Sequence, residues 1–145
     1  MKKKILISAC LLGTPCRYDA KSVRRVDVEA LSERYELIPI CPEVDGGLPT
    51  PRTPSERLGD RVVMRDGTDV TENFLLGAEH AYAVALEHGC EIALLKERSP
   101  SCGKDVIYDG SFTSTLTKRM GVAAEYLSLR GIRVFGESDV GQLLK

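Results

Sequence analysis

Residues Ile5–Cys10 read ILISAC, Glu36–Cys41 read ELIPIC, and Ile92–Cys102 read IALLKERSPSC. Each is an apolar, strand-like run with a cysteine just past it. In open α/β sheets, ligands bind outside the carboxyl ends of the strands, where the strand order switches. Three thiols carried on three strand ends can therefore meet at one point although they are far apart in the chain. Three soft donors converging there suggest a metal or iron–sulfur site. A missing fourth ligand would leave one coordination position open for chemistry.

Working outward, the pattern predicts strands over Lys4–Ser8, Glu36–Ile40, Glu91–Lys96 and Ile132–Phe135. Helices are expected over Val26–Arg34, Thr71–His88 with Gly89 as its stop, Leu116–Arg130 stopping at Gly131, and Asp139–Leu144. Two small hairpins are expected. One pairs Arg61–Arg65 with Thr68–Val70 around Asp66-Gly67, and the other spans Val106–Phe112 around Asp109-Gly110. Cys10–Lys21 and the Pro- and Gly-rich stretch Cys41–Pro54 read as loops, and a long ordered loop tends to be functional. Strands alternating with helices imply βαβ units: an α/β, Rossmann-like domain, mostly parallel, with helices on both faces. Residues 1–145 are read as one domain.

The chain of 145 residues is 43% hydrophobic, enough for one real core. Its formal net charge of −1 gives no field steering it to nucleic acid or a membrane surface. The short basic clusters at Arg24–Arg25 and Lys118–Arg119 read as solvated surface. The apolar run after Met1–Lys4 is too short for a secretory leader, and no stretch is long enough for a membrane helix. A cytoplasmic location is expected. There, five cysteines are a poor disulfide framework, and the odd count agrees.

Cys10, Cys41 and Cys102 are the candidate ligands. Cys90 reads as a small buried hydrophobe; Cys16 is a loop thiol, a spare ligand or a bystander. Glu43 and Asp45 follow Cys41 in CPEVDGG. A carboxylate beside an open metal site can act as general acid or base, the reading preferred for Glu43. Asp45 is read as a turn residue bonding its own backbone. Ser99 and Ser101 either donate to a thiolate or substrate, or cap the turn. Lys96 could face a ligand or solvent, Arg17 and Tyr18 could line the same mouth, and Arg52 is a candidate for a ligand phosphate or carboxylate. His80 and His88 are placed on the long helix, far from the cysteine loops. No phosphate-cradling glycine motif follows a strand.

The blocks SACLLGTPCRYD, PICPEVDGGLPTPR, LLKERSPSCG and DGSFTSTLTKRMGVAAEYL together resemble the thiouracil desulfidase (TudS) family, from Ile5 to about Phe135. The resemblance implies a Rossmann-like domain with a [4Fe–4S] cluster on Cys10, Cys41 and Cys102. It also implies a catalytic glutamate at Glu43 and a catalytic serine in SPSC, with Ser99 preferred to Ser101. The implied reaction is non-redox C–S cleavage at an open iron, converting a thiolated pyrimidine (base, nucleoside or nucleotide) to the oxo form with release of sulfide. RYDA stands where the family usually has RYDG; a left-handed turn there would cost Ala20 roughly 1 kcal/mol. Two other readings fit the cysteines: a closed zinc module using Cys16 as fourth ligand, and a tRNA-directed sulfur enzyme, which the near-neutral charge disfavours.

Overall fold

The computed structural model describes residues 2–13 and 26–145. Cys16, Arg17, Tyr18, Ala20, Arg24 and Arg25 lie outside the described residues. The central sheet contains β1 (Lys3–Ser8), β2 (Tyr35–Ile40), β5 (Ile92–Leu95) and β8 (Arg133–Gly136), in the order β2-β1-β5-β8. All three pairings are parallel. The chain leaves β1 toward β2 on one side and later returns to β1 with β5 on the other. The switch in strand order thus falls beside β1, between two of the cysteine-bearing strands. The expected α/β class, parallel sheet and flanking helices are all present.

The apolar runs of the two central strands, β1 and β5, are continuous because these strands are buried on both faces. Leu6, Ala93 and Leu95 pack on one side with Ala81 and Ala85 of α3 (Thr71–His88) and Ala124 and Leu127 of α4 (Val122–Leu129). Ile5, Ile7 and Leu94 pack on the other with Leu31 of α1 (Val28–Arg34) and Leu143, the last residue of the C-terminal helix. Asp27 caps α1 by accepting from the Ala30 amide at 3.0 Å. Gly89 ends α3 at φ 69°, as its sequence position suggests.

Several boundaries differ from expectation. The strand β4 (Arg61–Met64) also pairs with the preceding β3 (Ser55–Leu58), turning at Gly59-Asp60, a partner strand not expected from the sequence. The expected Asp66-Gly67 turn forms, and the returning chain meets β4 at the Val63–Asp69 bridge, where the Met64 amide donates to the Thr68 carbonyl and the Val70 amide to that of Val62. The strand β3 is hard to read because its two buried positions, Glu56 and Arg57, are adjacent and both charged. Arg57 is buried against Glu125 at 3.0 Å, and Glu56 accepts from the Gly110 and Phe112 amides.

The expected tight turn at Asp109-Gly110 is a longer loop. Here β6 (Val106–Tyr108) pairs with β7 (Leu116–Lys118), so the segment read as the start of a helix is a strand. The helix begins only at Val122, after Gly121. The Cys41–Pro54 stretch holds one helical turn, α2 (Pro42–Asp45).

That turn lies directly on α3. A methyl group at Gly77 would sit 1.8 Å from the Pro42 carbonyl oxygen, and one at Gly46 2.0 Å from that of Asn73. The Asn73 amide donates to the Gly46 carbonyl at 2.9 Å. Close backbone approach at two glycines therefore fixes the segment carrying Cys41 and Glu43. Gly77→Ala should lower stability by about 1–3 kcal/mol through overpacking. Gly141→Ala, in α5 (Val140–Leu143), meets open space and should be neutral or stabilise by up to about 1 kcal/mol; urea midpoints for the two variants provide the comparison.

Candidate active site

Three loops leave the carboxyl ends of β2, β1 and β5 and line one cleft of about 660 Å³. Cys10 lies in a single 3₁₀ turn, Ala9–Leu11, directly after β1. Cys41 occupies the N-cap position of α2. The Asp45 carboxylate accepts from the Cys41 amide at 3.0 Å, while the Asp45 amide donates to the Cys41 carbonyl at 2.8 Å. Asp45 thus closes the turn that presents Cys41. His80 is not remote from this loop as expected: its Nε2 lies 3.8 Å from Asp45 Oδ2, because α2 packs on the helix that carries it.

Cys102 sits in the turn after β5. That turn is tied to the first turn of α4: the Val122 amide donates to the Pro100 carbonyl, and the Ala123 and Ala124 amides both donate to that of Ser101. These are donors a helix start leaves without intrahelical partners. Gly121 allows the approach, since a methyl group there would lie 2.6 Å from the Ser101 carbonyl carbon.

The two serines differ in what they touch. Ser99 Oγ accepts from the Ser101 and Cys102 amides, both at 3.1 Å, and so closes the turn. Ser101 Oγ donates to Glu43 Oε2 at 3.0 Å and is 3.5 Å from Cys102 Sγ. The two hydroxyls are 2.9 Å apart. The other Glu43 oxygen, Oε1, is held by Arg52 at 3.1 and 3.2 Å. Burial pushes the Cys102 thiol up to about 11. Hydrogen bonds from Ser8 and Ser101 oppose this, and the nearby Glu43 and Cys41 charges reinforce it.

Cys10, Cys41, Cys102, Glu43, Ser99, Ser101, Lys96 and Arg52 all border the cleft. Lys96 Nζ is engaged at 3.0 Å by Glu137 and also donates to the Glu97 carbonyl. Cys90 is in the core, and Lys118–Arg119 is on the β7 side, with Arg119 bonded to Asp60. Ser8 is a residue that the sequence reading missed. It is buried at the end of β1 and accepts from the Lys96 amide at 2.9 Å. Its position two residues before Cys10, at a strand end, was the available signal. Among the described residues, no three His, Cys, Asp or Glu side chains are grouped to hold a single metal ion.

The fold and cleft define an α/β protein with a thiol-, carboxylate- and hydroxyl-lined ligand site at the switch point of its sheet. The chain belongs to the 2-thiouracil desulfurase family, whose sequence model matches residues 5–139. It is 35% identical over 150 residues to the uncharacterized protein YbbK of Bacillus subtilis (strain 168), covering 97% of this chain and 99% of the relative. It is also similar to the solved structure of the [4Fe-4S]-dependent thiouracil desulfidase TudS. There the identity is 46% and the TM-score 0.93, over 98% of this chain and 95% of the other. The resemblance carried by the four sequence blocks is therefore a family membership.

Two outcomes are expected of the site's architecture. Ser99→Ala removes the acceptor of two amides in a buried turn and should destabilise it by about 1–3 kcal/mol, seen as faster hydrogen exchange at Ser101 and Cys102. In the metal-free protein at pH 8, Cys102 should alkylate at least about a hundredfold more slowly than free cysteine, because so little of it is thiolate; mass spectrometry of iodoacetamide-treated protein reads this.

Proposed function

We propose that the protein removes sulfur from a thiolated pyrimidine, as base, nucleoside or nucleotide, and releases the oxo pyrimidine and sulfide. We assign Cys10, Cys41 and Cys102 as the ligands of a [4Fe–4S] cluster. The observation that carries this reading is the approach of three thiol-bearing loops to one cleft that also holds the Glu43–Ser101 pair. The similarity to TudS supports it, since that protein is a [4Fe-4S]-dependent thiouracil desulfidase.

The donor set suits such a group. Thiolates are the usual ligands of iron–sulfur clusters, and no disulfide joins the four described cysteines. A cluster offers each thiolate its own iron, so three thiols need not crowd one ion. When bound, the cluster supplies a thiophilic, Lewis-acidic iron for the thiocarbonyl sulfur. Cysteines kept as thiols also favour a reducing compartment, and no described helix is long and apolar enough to cross a membrane; we place the protein in the cytoplasm. Residues 1–145 are read as one domain, since β1 contributes to the cores on both faces of the sheet.

The chemistry left to the chain is hydrolytic in form. Water adds to the ring carbon as its bond to sulfur breaks. The thiocarbonyl and water thus become a carbonyl and hydrogen sulfide, and no external electrons are needed. Glu43 Oε2 takes the proton from water, because Oε1 is occupied by Arg52. Ser101 Oγ, hydrogen-bonded to Glu43 and close to Cys102 Sγ, relays a proton toward the departing sulfur. These contacts favour Ser101 over Ser99 for that role, with Ser99 as the residue that shapes the turn.

Anaerobic reconstitution followed by the thiocarbonyl absorbance of 2- or 4-thiouracil tests the proposal. The cluster should form and the band should decay, and Cys102→Ala should lose both. Glu43→Gln should keep the cluster and lower kcat by about 10²–10⁴-fold. Full activity in an iron-free preparation would contradict the proposal.

A further inference from the structure

We infer that Arg52 is a positioning residue that divides the two oxygens of Glu43, fixing Oε1 so that Oε2 is presented to Ser101 and the cleft. The inference rests on the function proposed above for its kinetic consequence, but its geometric content stands apart from it. From sequence, Arg52 is a candidate for a ligand phosphate or carboxylate. The contacts argue otherwise. Its Nε and Nη2 reach the same oxygen, Glu43 Oε1, at 3.2 and 3.1 Å, and its Nη1 donates to the Pro49 carbonyl and to Thr50 Oγ1, both at 3.1 Å.

An arginine that met the carboxylate fork to fork would engage both oxygens. Here both donors fall on one, and the second oxygen lies 3.0 Å from Ser101 Oγ. The guanidinium side chain is 3% exposed and the Glu43 side chain 15%. Each is therefore held by protein rather than by water. An incoming anion would have to displace existing contacts to bind Arg52. The Pro49 and Thr50 contacts fix the guanidinium, and the guanidinium fixes the carboxylate. Lysine has a point charge on a flexible stem and cannot reproduce the planar arrangement.

The test compares Arg52→Met, Arg52→Lys and Glu43→Gln, singly and combined, each with a reconstituted cluster. Arg52→Met should lower kcat by about 10- to 100-fold, the scale of a small misplacement of a reacting group. KM, iron content and the electronic spectrum should be unchanged, and Arg52→Lys should recover part of the loss. In the Glu43→Gln background neither change should cost anything further. Additive losses in the double variants, or a raised KM at unchanged kcat, would overturn the inference, the latter by placing Arg52 on the substrate. If Arg52→Met does not fold, Arg52→Lys in the two backgrounds carries the same comparison.

A crystal structure of Arg52→Lys decides independently of activity. The Glu43 carboxylate should leave Ser101 Oγ, or exchange which oxygen faces it; an unchanged 3.0 Å contact through Oε2 would contradict the inference. A cluster-loaded wild-type protein that left thiouracil untouched would count against the proposed function, while the crystallographic result would still decide the role of Arg52.

Discussion

The hydrogen bonds between the Pro100 and Ser101 carbonyls and the first amides of α4 are the constraint on which the site depends. A helix start must place its orphan donors somewhere, and here no side chain caps them. The loop's backbone does so instead. These amides belong to a helix packed in the core, so the turn carrying Ser99, Ser101 and Cys102 inherits the rigidity of that helix. Gly121 is needed because the two backbones nearly touch. From Ser101 the order passes to Glu43 through one hydrogen bond, and from Glu43 to Arg52.

The second cysteine loop is fixed by the same device on the neighbouring helix. Gly46 and Gly77 let α2 lie against α3 at backbone distance, which places Cys41 and Glu43. The helices α3 and α4 share one face of the sheet, so two of the three thiol loops are anchored in one layer. Cys10 reaches the cleft differently, from the turn that directly follows β1. All three thiols thus follow strands of the parallel sheet, and glycine contacts beneath the loops of Cys41 and Cys102 fix those two against the helices. Burial of Cys102 disfavours its thiolate in the metal-free protein, so taking up a metal there must also release a proton.

The central sheet was legible because strands buried on both faces read as uninterrupted apolar runs, as in ILIS and IALL. The end of the long helix was legible because its Gly89 stop carries a local signal. What escaped has a common origin in polar groups satisfied at a distance. The strand β3 buries Glu56, met by amides 54 and 56 residues further on, and Arg57, which reaches Glu125 68 residues on as well as the nearby Gly59 carbonyl, so the sequence around it does not mark it as a strand. The strand β7 has three exposed residues and no apolar alternation. The thiol, carboxylate and hydroxyl residues could be picked out, since their chemistry is visible in the motif. The pairing of Glu43 with Ser101 rather than Ser99, the contact between His80 and Asp45, and the engagement of Arg52 with Glu43 could not, because each depends on which oxygen or which loop the fold brings near.

The most direct test of the account is a crystal structure of the anaerobically reconstituted protein with anomalous data collected at the iron edge. The account predicts four irons above the carboxyl ends of β1, β2 and β5, three of them bonded to Cys10, Cys41 and Cys102 and the fourth without a side-chain ligand. A single metal ion, or a cluster whose fourth iron is taken by Cys16, would contradict it.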